Sequence, residues 1–143
     1  MPGAAPVSKG PRRAPLSKAQ LLPLPTAQTR RLSLKHHLAQ TCLAAGQGGI
    51  ESLSTLSNVI DIAQRIENTQ ASAFEKAAAA IESCVARAER DQRFTLTEVE
   101  RTAIAVALVV HDAQLARVPF HRYLTALEQS TARPRSLDEP AAQ

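Results

Sequence analysis

Residues 72–90 read SAFEKAAAAIESCVARAER, a stretch without glycine or proline. Within it Phe74, Ala77, Ala78, Ile81, Cys84, Val85 and Ala88 recur every three or four positions through four turns. That is the period of one face of an α-helix; a half-buried strand would alternate every second residue. The stretch therefore predicts an amphipathic helix packed on a core by its small and aliphatic side. The same logic extends to its neighbours, because beyond Gly49 the chain has no glycine and its only later prolines are Pro119, Pro134 and Pro140. Tight hairpins want glycine or asparagine at positive φ, so a β-rich reading has no turns to build on.

Upstream, Ile50, Leu53, Leu56, Ile60, Ala63 and Ile66 set the face of a helix over about 50–68, with Ser57, Asp61, Gln64 and Arg65 largely off it. Before that, a helix from Thr26 carries Leu34, Leu38 and Cys42 on one stripe beside Leu32 and Leu43, and Gly46 with Gly48 and Gly49 ends it. Downstream, Asp91, Gln92 and Arg93 read as a turn. Two overlapping capping boxes follow, Thr95 to Glu98 and Thr97 to Glu100, in which a hydroxyl and a carboxylate satisfy exposed N–H groups reciprocally. The helix they open is apolar on every side over 103–110, which predicts a central helix of the bundle or one at a subunit interface. Pro119 breaks the pattern, and a short helix over 120–129 presents Phe120, Tyr123, Leu124 and Leu127.

These readings predict an all-α fold: a bundle of four main helices plus a short C-terminal helix, carrying an extended N-terminal arm. Apolar residues make up 44% of the chain and aromatics 3%, a balance that suits a bundle of Ala, Leu, Val and Ile. A chain of 143 residues suffices for one domain and is short for two. The predicted division is a disordered, basic, proline-rich arm over 1–25, a bundle over 26–129 and a disordered tail over 130–143. Within the arm, the segment Leu21-Leu22-Pro23-Leu24-Pro25 favours extended backbone and suits either a partner's groove or the chain's own bundle. Cys42 and Cys84 have neither metal-ligand nor thioredoxin spacing and read as small core residues. The early leucines are interrupted by Lys18, Gln20 and prolines, so no secretory signal is expected, and a reducing cytoplasm fits best. The longest apolar run, 103–110, falls far below the roughly 20 residues that span a bilayer.

The strongest functional signal is charge. The first fifty residues hold Lys9, Arg12, Arg13, Lys18, Arg30, Arg31 and Lys35 and no acid, whereas all 13 acids follow, beginning at Glu51. A cationic segment on a near-neutral body suits phosphates or an acidic protein. Arg31 and Lys35 lie four apart on one helix face. The arm has no interleaved aromatics to stack on single-stranded bases. A helix-turn-helix is also not supported: residues 67–70 lack the turn glycine, and the helix after them is largely alanine where base-reading side chains would stand.

Catalytic signatures are missing. The chain has no phosphate-binding glycine loop, zinc-protease helix, nucleophile elbow or dinucleotide fingerprint, and Glu98 and Glu100 suit the positive end of the helix they open. No enzyme activity and no cofactor or metal is expected. His36 and His37 diverge by about 100° on a helix. His111 and His121 flank Pro119, and a tight turn there would bring them together with Asp112 as an open zinc-type site, although a capping or interface role for His111 is the simpler reading.

The stretches LSKAQLLPL (16–24) and LSLKHHLA (32–39), with HDAQLARVP (111–119) and HRYL (121–124), resemble small proteobacterial helical proteins labelled Fis-type transcriptional regulators, over roughly residues 16–128. The resemblance implies DNA binding and transcriptional regulation. A Fis-type domain ends in a basic helix-turn-helix, however, and this chain ends in SLDEPAAQ, so the residues that would read DNA have no positions here. The sequence therefore predicts a non-enzymatic regulatory or accessory protein that contacts nucleic acid electrostatically through Lys9, Arg12, Arg13, Lys18, Arg30, Arg31 and Lys35. The alternative is a helical protein-interaction module that binds another protein through the 21–25 segment or an exposed helical face and has no nucleic-acid role; the apolar 103–110 helix adds the expectation of a homodimer.

Overall fold

The computed structural model describes residues 15–66 and 71–132. Six helices follow one another: α1 Lys18–Leu21, α2 Thr26–Ala44, α3 Ile50–Ile66, α4 Ala71–Asp91, α5 Glu98–Leu115 and α6 Phe120–Ala132. Among the described residues there is no strand, only an isolated antiparallel bridge between Pro23 and Pro119. The fold is all-α, and no described helix is long and apolar enough to cross a membrane.

Local chemistry sets the helix ends. At the start of α5 the second capping box is the one used: the Glu100 N–H donates to Thr97 Oγ1 at 3.2 Å and the Thr97 N–H donates to Glu100 Oε1 at 2.9 Å. The first box, at Thr95, is not used because Thr95 belongs to the returning loop, where its carbonyl accepts from Arg87 and from the Cys84 thiol. At the end of α2, Gly46 adopts φ 76°, the Gln47 N–H reaches the Cys42 carbonyl and the Gly46 N–H reaches that of Leu43. This is a Schellman ending, and its left-handed residue favours glycine. Two residues on, a Cβ at Gly48 would stand 2.7 Å from the Leu43 side chain, so the loop can lie on the core only without one.

The core has two parts. The larger joins Leu43 of α2, Leu53, Leu56 and Ile60 of α3, Phe74, Ala77, Ile81 and Cys84 of α4, and Ile104 and Leu108 of α5. Helix α3, which packs on α2, α4, α5 and α6, is the enclosed element, with seven buried residues. Of the two expectations for the 103–110 helix, the central one is corrected: α5 buries Ile104, Ala107 and Leu108 but leaves Val106 and Val109 exposed, because α2, α3 and α4 pack on its inner side alone.

The smaller part of the core closes the α5–α6 corner and includes a residue from the predicted arm. Ser17 and Gln20 cap α1 reciprocally; the chain then runs extended, and the Phe120 N–H donates to the Leu22 carbonyl at 2.8 Å. Leu24 is 6% exposed and packs with Ile62, Ile66, Leu115, Val118, Tyr123 and Ala126. The arm predicted for 1–25 is therefore corrected over 15–25, which form a capped turn and a strap folded back on the bundle. Each proline still keeps the backbone extended there, but burial of Leu24 offsets the entropy of ordering it. At the other end α6 continues to Ala132, past the expected limit at 129. The remaining parts of the predicted arm and tail, 1–14 and 133–143, lie outside the described residues.

Candidate functional site on the second helix

Helix α2 buries a face that the leucine spacing did not indicate. His36, Ala39, Gln40 and Leu43 are buried, while Leu34 is 70% and Leu38 57% exposed. The expected core stripe of Leu34, Leu38 and Cys42 is thereby corrected: it lies on the outer side, with Cys42 half-buried. At 100° per residue His36 falls roughly opposite Leu34 and Leu38, so a helix that turns its histidine inward must turn both leucines out.

The cations stand around these leucines. Arg30, Arg31 and Lys35 are all exposed, and none forms an ion pair among the described residues. By helical geometry Arg30 lies about 40° beyond Leu34 on one side and Lys35 about 60° beyond Leu38 on the other, with Arg31 between Leu38 and Lys35. The result is an apolar stripe with positive edges. It forms one wall of a groove of about 560 Å³ whose other wall is Glu51, Ser52 and Thr55 of α3, and Ile50, at the start of α3, is also exposed.

The other predicted contact residues are not gathered there. Lys18 opens α1 and is exposed, whereas Lys9, Arg12 and Arg13 lie outside the described residues. Leu21 and Leu22 are exposed, but Leu24 packs in the chain's own core, so of the two readings of 21–25 the structure has the segment folded back on the bundle.

On the inner side of α2 a layer of polar groups joins it to α5 and α3. The His36 and His111 rings lie 5.6 Å apart between centroids. The Gln114 amide donates to the Ala63 carbonyl at 3.0 Å, which leaves its oxygen to accept from His111 Nδ1–H at 2.7 Å and fixes that tautomer. Gln40 donates to the Arg101 carbonyl at 3.0 Å, and His37 Nε2–H donates to Asp112 Oδ2 at 2.9 Å. His36 Nδ1 and Asp112 Oδ1 are buried without a partner. Burial, reinforced by His111 and Lys35 nearby, lowers His36 to about 4. Burial also lowers His111, against the opposing pull of Gln114 and Asp112.

His111 and Asp112 thus turn toward α2 and pair with His36 and His37, not with His121 across the proline break. Among the described residues no group of three or more His, Cys, Asp or Glu side chains is placed to hold a metal ion. A separate clamp closes the α4–α5 hairpin: Arg87 reaches Glu100 at 2.6 Å and the Thr95 carbonyl at 2.7 Å. Burial alone would raise the Glu100 carboxyl, but Arg87 and the Thr97 N–H together hold it below its ordinary value.

Comparison with known proteins gave no matching family model, no matching curated protein and no matching solved structure.

Proposed function

We propose that the protein is a non-enzymatic helical interaction module that binds an acidic, amphipathic helical segment of a partner protein on the outer face of α2. The observation that carries this reading is the exposure of Leu34 and Leu38 between Arg30, Arg31 and Lys35. Exposed apolar residues in a contiguous stripe with a polar rim mark interaction surfaces, and helix-in-groove recognition uses anchors three and four residues apart. A partner helix with leucine-like anchors and flanking Asp or Glu fills the groove and meets its positive edges. Duplex phosphates would meet the cations but leave the leucines against polar backbone, without gain from burial. Leu34→Glu is expected to lower affinity for an acidic amphipathic helical peptide at least tenfold, measured by fluorescence anisotropy, whereas Leu21→Ala leaves it unchanged. Equal binding by wild type and Leu34→Glu would sink the reading.

A second reading, electrostatic contact with nucleic acid, is favoured by the same three unpaired cations and by the acid-free first fifty residues. The transcriptional role implied by the Fis-type resemblance would work through such backbone contacts. If Arg30, Arg31 and Lys35 each neutralise one phosphate, the logarithmic salt slope on duplex DNA approaches about −3 from these residues alone, and neutralising all three removes that part.

A further inference from the structure

Helix α5 carries a second exposed stripe that shares no residue with the α2 face. Val99, Thr102, Val106, Val109 and Ala113 follow one another at alternating steps of three and four and are all exposed, Val99 by 78% and Val109 by 61%. That is the spacing of a coiled-coil seam, about 21 Å long at 1.5 Å per residue. Beside it, between α4 and α5, runs a groove of about 520 Å³ lined by Lys76 and Glu98 together with Val99, Ala103 and Val106.

Charge and symmetry both indicate what covers this stripe. The seam itself bears no charged residue, and the groove has one residue of each sign, so a strongly charged partner finds nothing to pair with. The α2 face, with three cations, would repel its own copy, but the α5 face would not. A two-fold axis at Val106 sets that residue, half-exposed at the centre of the stripe, against its own copy. Two α5 helices crossing antiparallel with a two-fold axis at that residue oppose Val99 of one copy with Ala113 of the other, and Ala103 with Val109. Val99 and Val109 then each meet an alanine, and Val106 meets Val106, in an isologous contact.

We infer that a second copy of this chain docks on the outer face of α5, giving a two-fold dimer with Val106 on the axis. The inference does not depend on the α2 reading. Analytical ultracentrifugation of the full chain under reducing conditions, from 5 to about 500 µM, provides the test. A concentration-dependent dimer is expected, with Val106→Glu raising its dissociation constant at least tenfold and Leu34→Glu leaving it unchanged. Because Val106 is exposed, circular dichroism should find the variant folded. As a second readout, Val106→Cys should form a disulfide-linked dimer on mild oxidation, since a residue on the axis faces itself, whereas Ala86→Cys on α4 should not. A chain that stays monomeric throughout, a dimer indifferent to Val106→Glu, a dimer broken by Leu34→Glu, or cross-linking by Ala86→Cys but not Val106→Cys would each overturn the inference.

Discussion

His36 and His111 are imidazoles held in an interior that disfavours their charge, and this gives stability a pH dependence of definite sign. In the unfolded chain both titrate near 6.5, whereas in the folded chain His36 titrates at about 4 and His111 is also lowered. Between those values the unfolded state binds more protons, so stability rises with pH there. The two residues oppose unfolding fully above about pH 6.5, and that contribution is lost as pH falls toward 4. For His36 alone the difference is on the order of 3 kcal/mol. Urea unfolding at pH 7 and pH 4.5 should show the loss, and His36→Leu, which also removes the unpartnered Nδ1, should reduce it. A variant as sensitive to acid as the wild type would contradict this account. The leucines of the strap provide a second contrast between residues. Leu24→Ala is expected to destabilise the protein by about 2–4 kcal/mol, and Leu21→Ala, at an exposed position, by less than about 0.5 kcal/mol. Comparable losses in thermal melts would show that the strap is not anchored by Leu24.

At the scale of the helices, the start of α5 and the orientation of α2 differ in what the sequence reveals. The Thr97–Glu100 box is a local device, written in four consecutive residues, and it was legible. Thr97→Ala should cost about 1 kcal/mol, seen as a lower denaturant midpoint at unchanged slope. Orientation is a tertiary choice. Leu32, Leu34, Leu38 and Leu43 do not lie on one narrow stripe, so spacing alone allowed either face of α2 to be inward, and the leucines pointed to the wrong one. The decision came from across the bundle: on α5 the Arg101 carbonyl accepts from Gln40, the His111 ring lies beside that of His36 and Asp112 accepts from His37, contacts that no reading of α2 alone contains. The one local hint was the basic pair Arg31 and Lys35, sharing its side of the helix with Leu34 and Leu38. The strap was only half legible: the sequence left 21–25 open between a partner's groove and the chain's own bundle, because proline content describes the backbone there while burial of Leu24 depends on a corner built a hundred residues later. On α5, an apolar run could be recognised, but which of its valines faced outward depended on how many neighbours came to cover it.

For the whole molecule, the all-α class followed from periodicity and the lack of glycine after Gly49, and the structure shows it. The candidate site emerged differently, from conflict between local pattern and global packing, where a helix buries histidine and glutamine and exposes leucine. Such conflicts concentrate at functional surfaces. The division of charge along the chain gains a location from this: Arg30, Arg31 and Lys35 stand on α2 around the exposed Leu34 and Leu38. The most direct test of the α2 face is a pair of ¹⁵N-HSQC titrations of the full chain, one with an acidic amphipathic helical peptide and one with a duplex DNA of about 20 base pairs. The account predicts saturable shifts from the peptide at Leu34, Leu38, Cys42 and Ile50, with weaker, salt-sensitive shifts from the duplex centred on Arg30, Arg31 and Lys35. Tighter binding of the duplex than of the peptide, or peptide shifts that avoid Leu34 and Leu38, would contradict it.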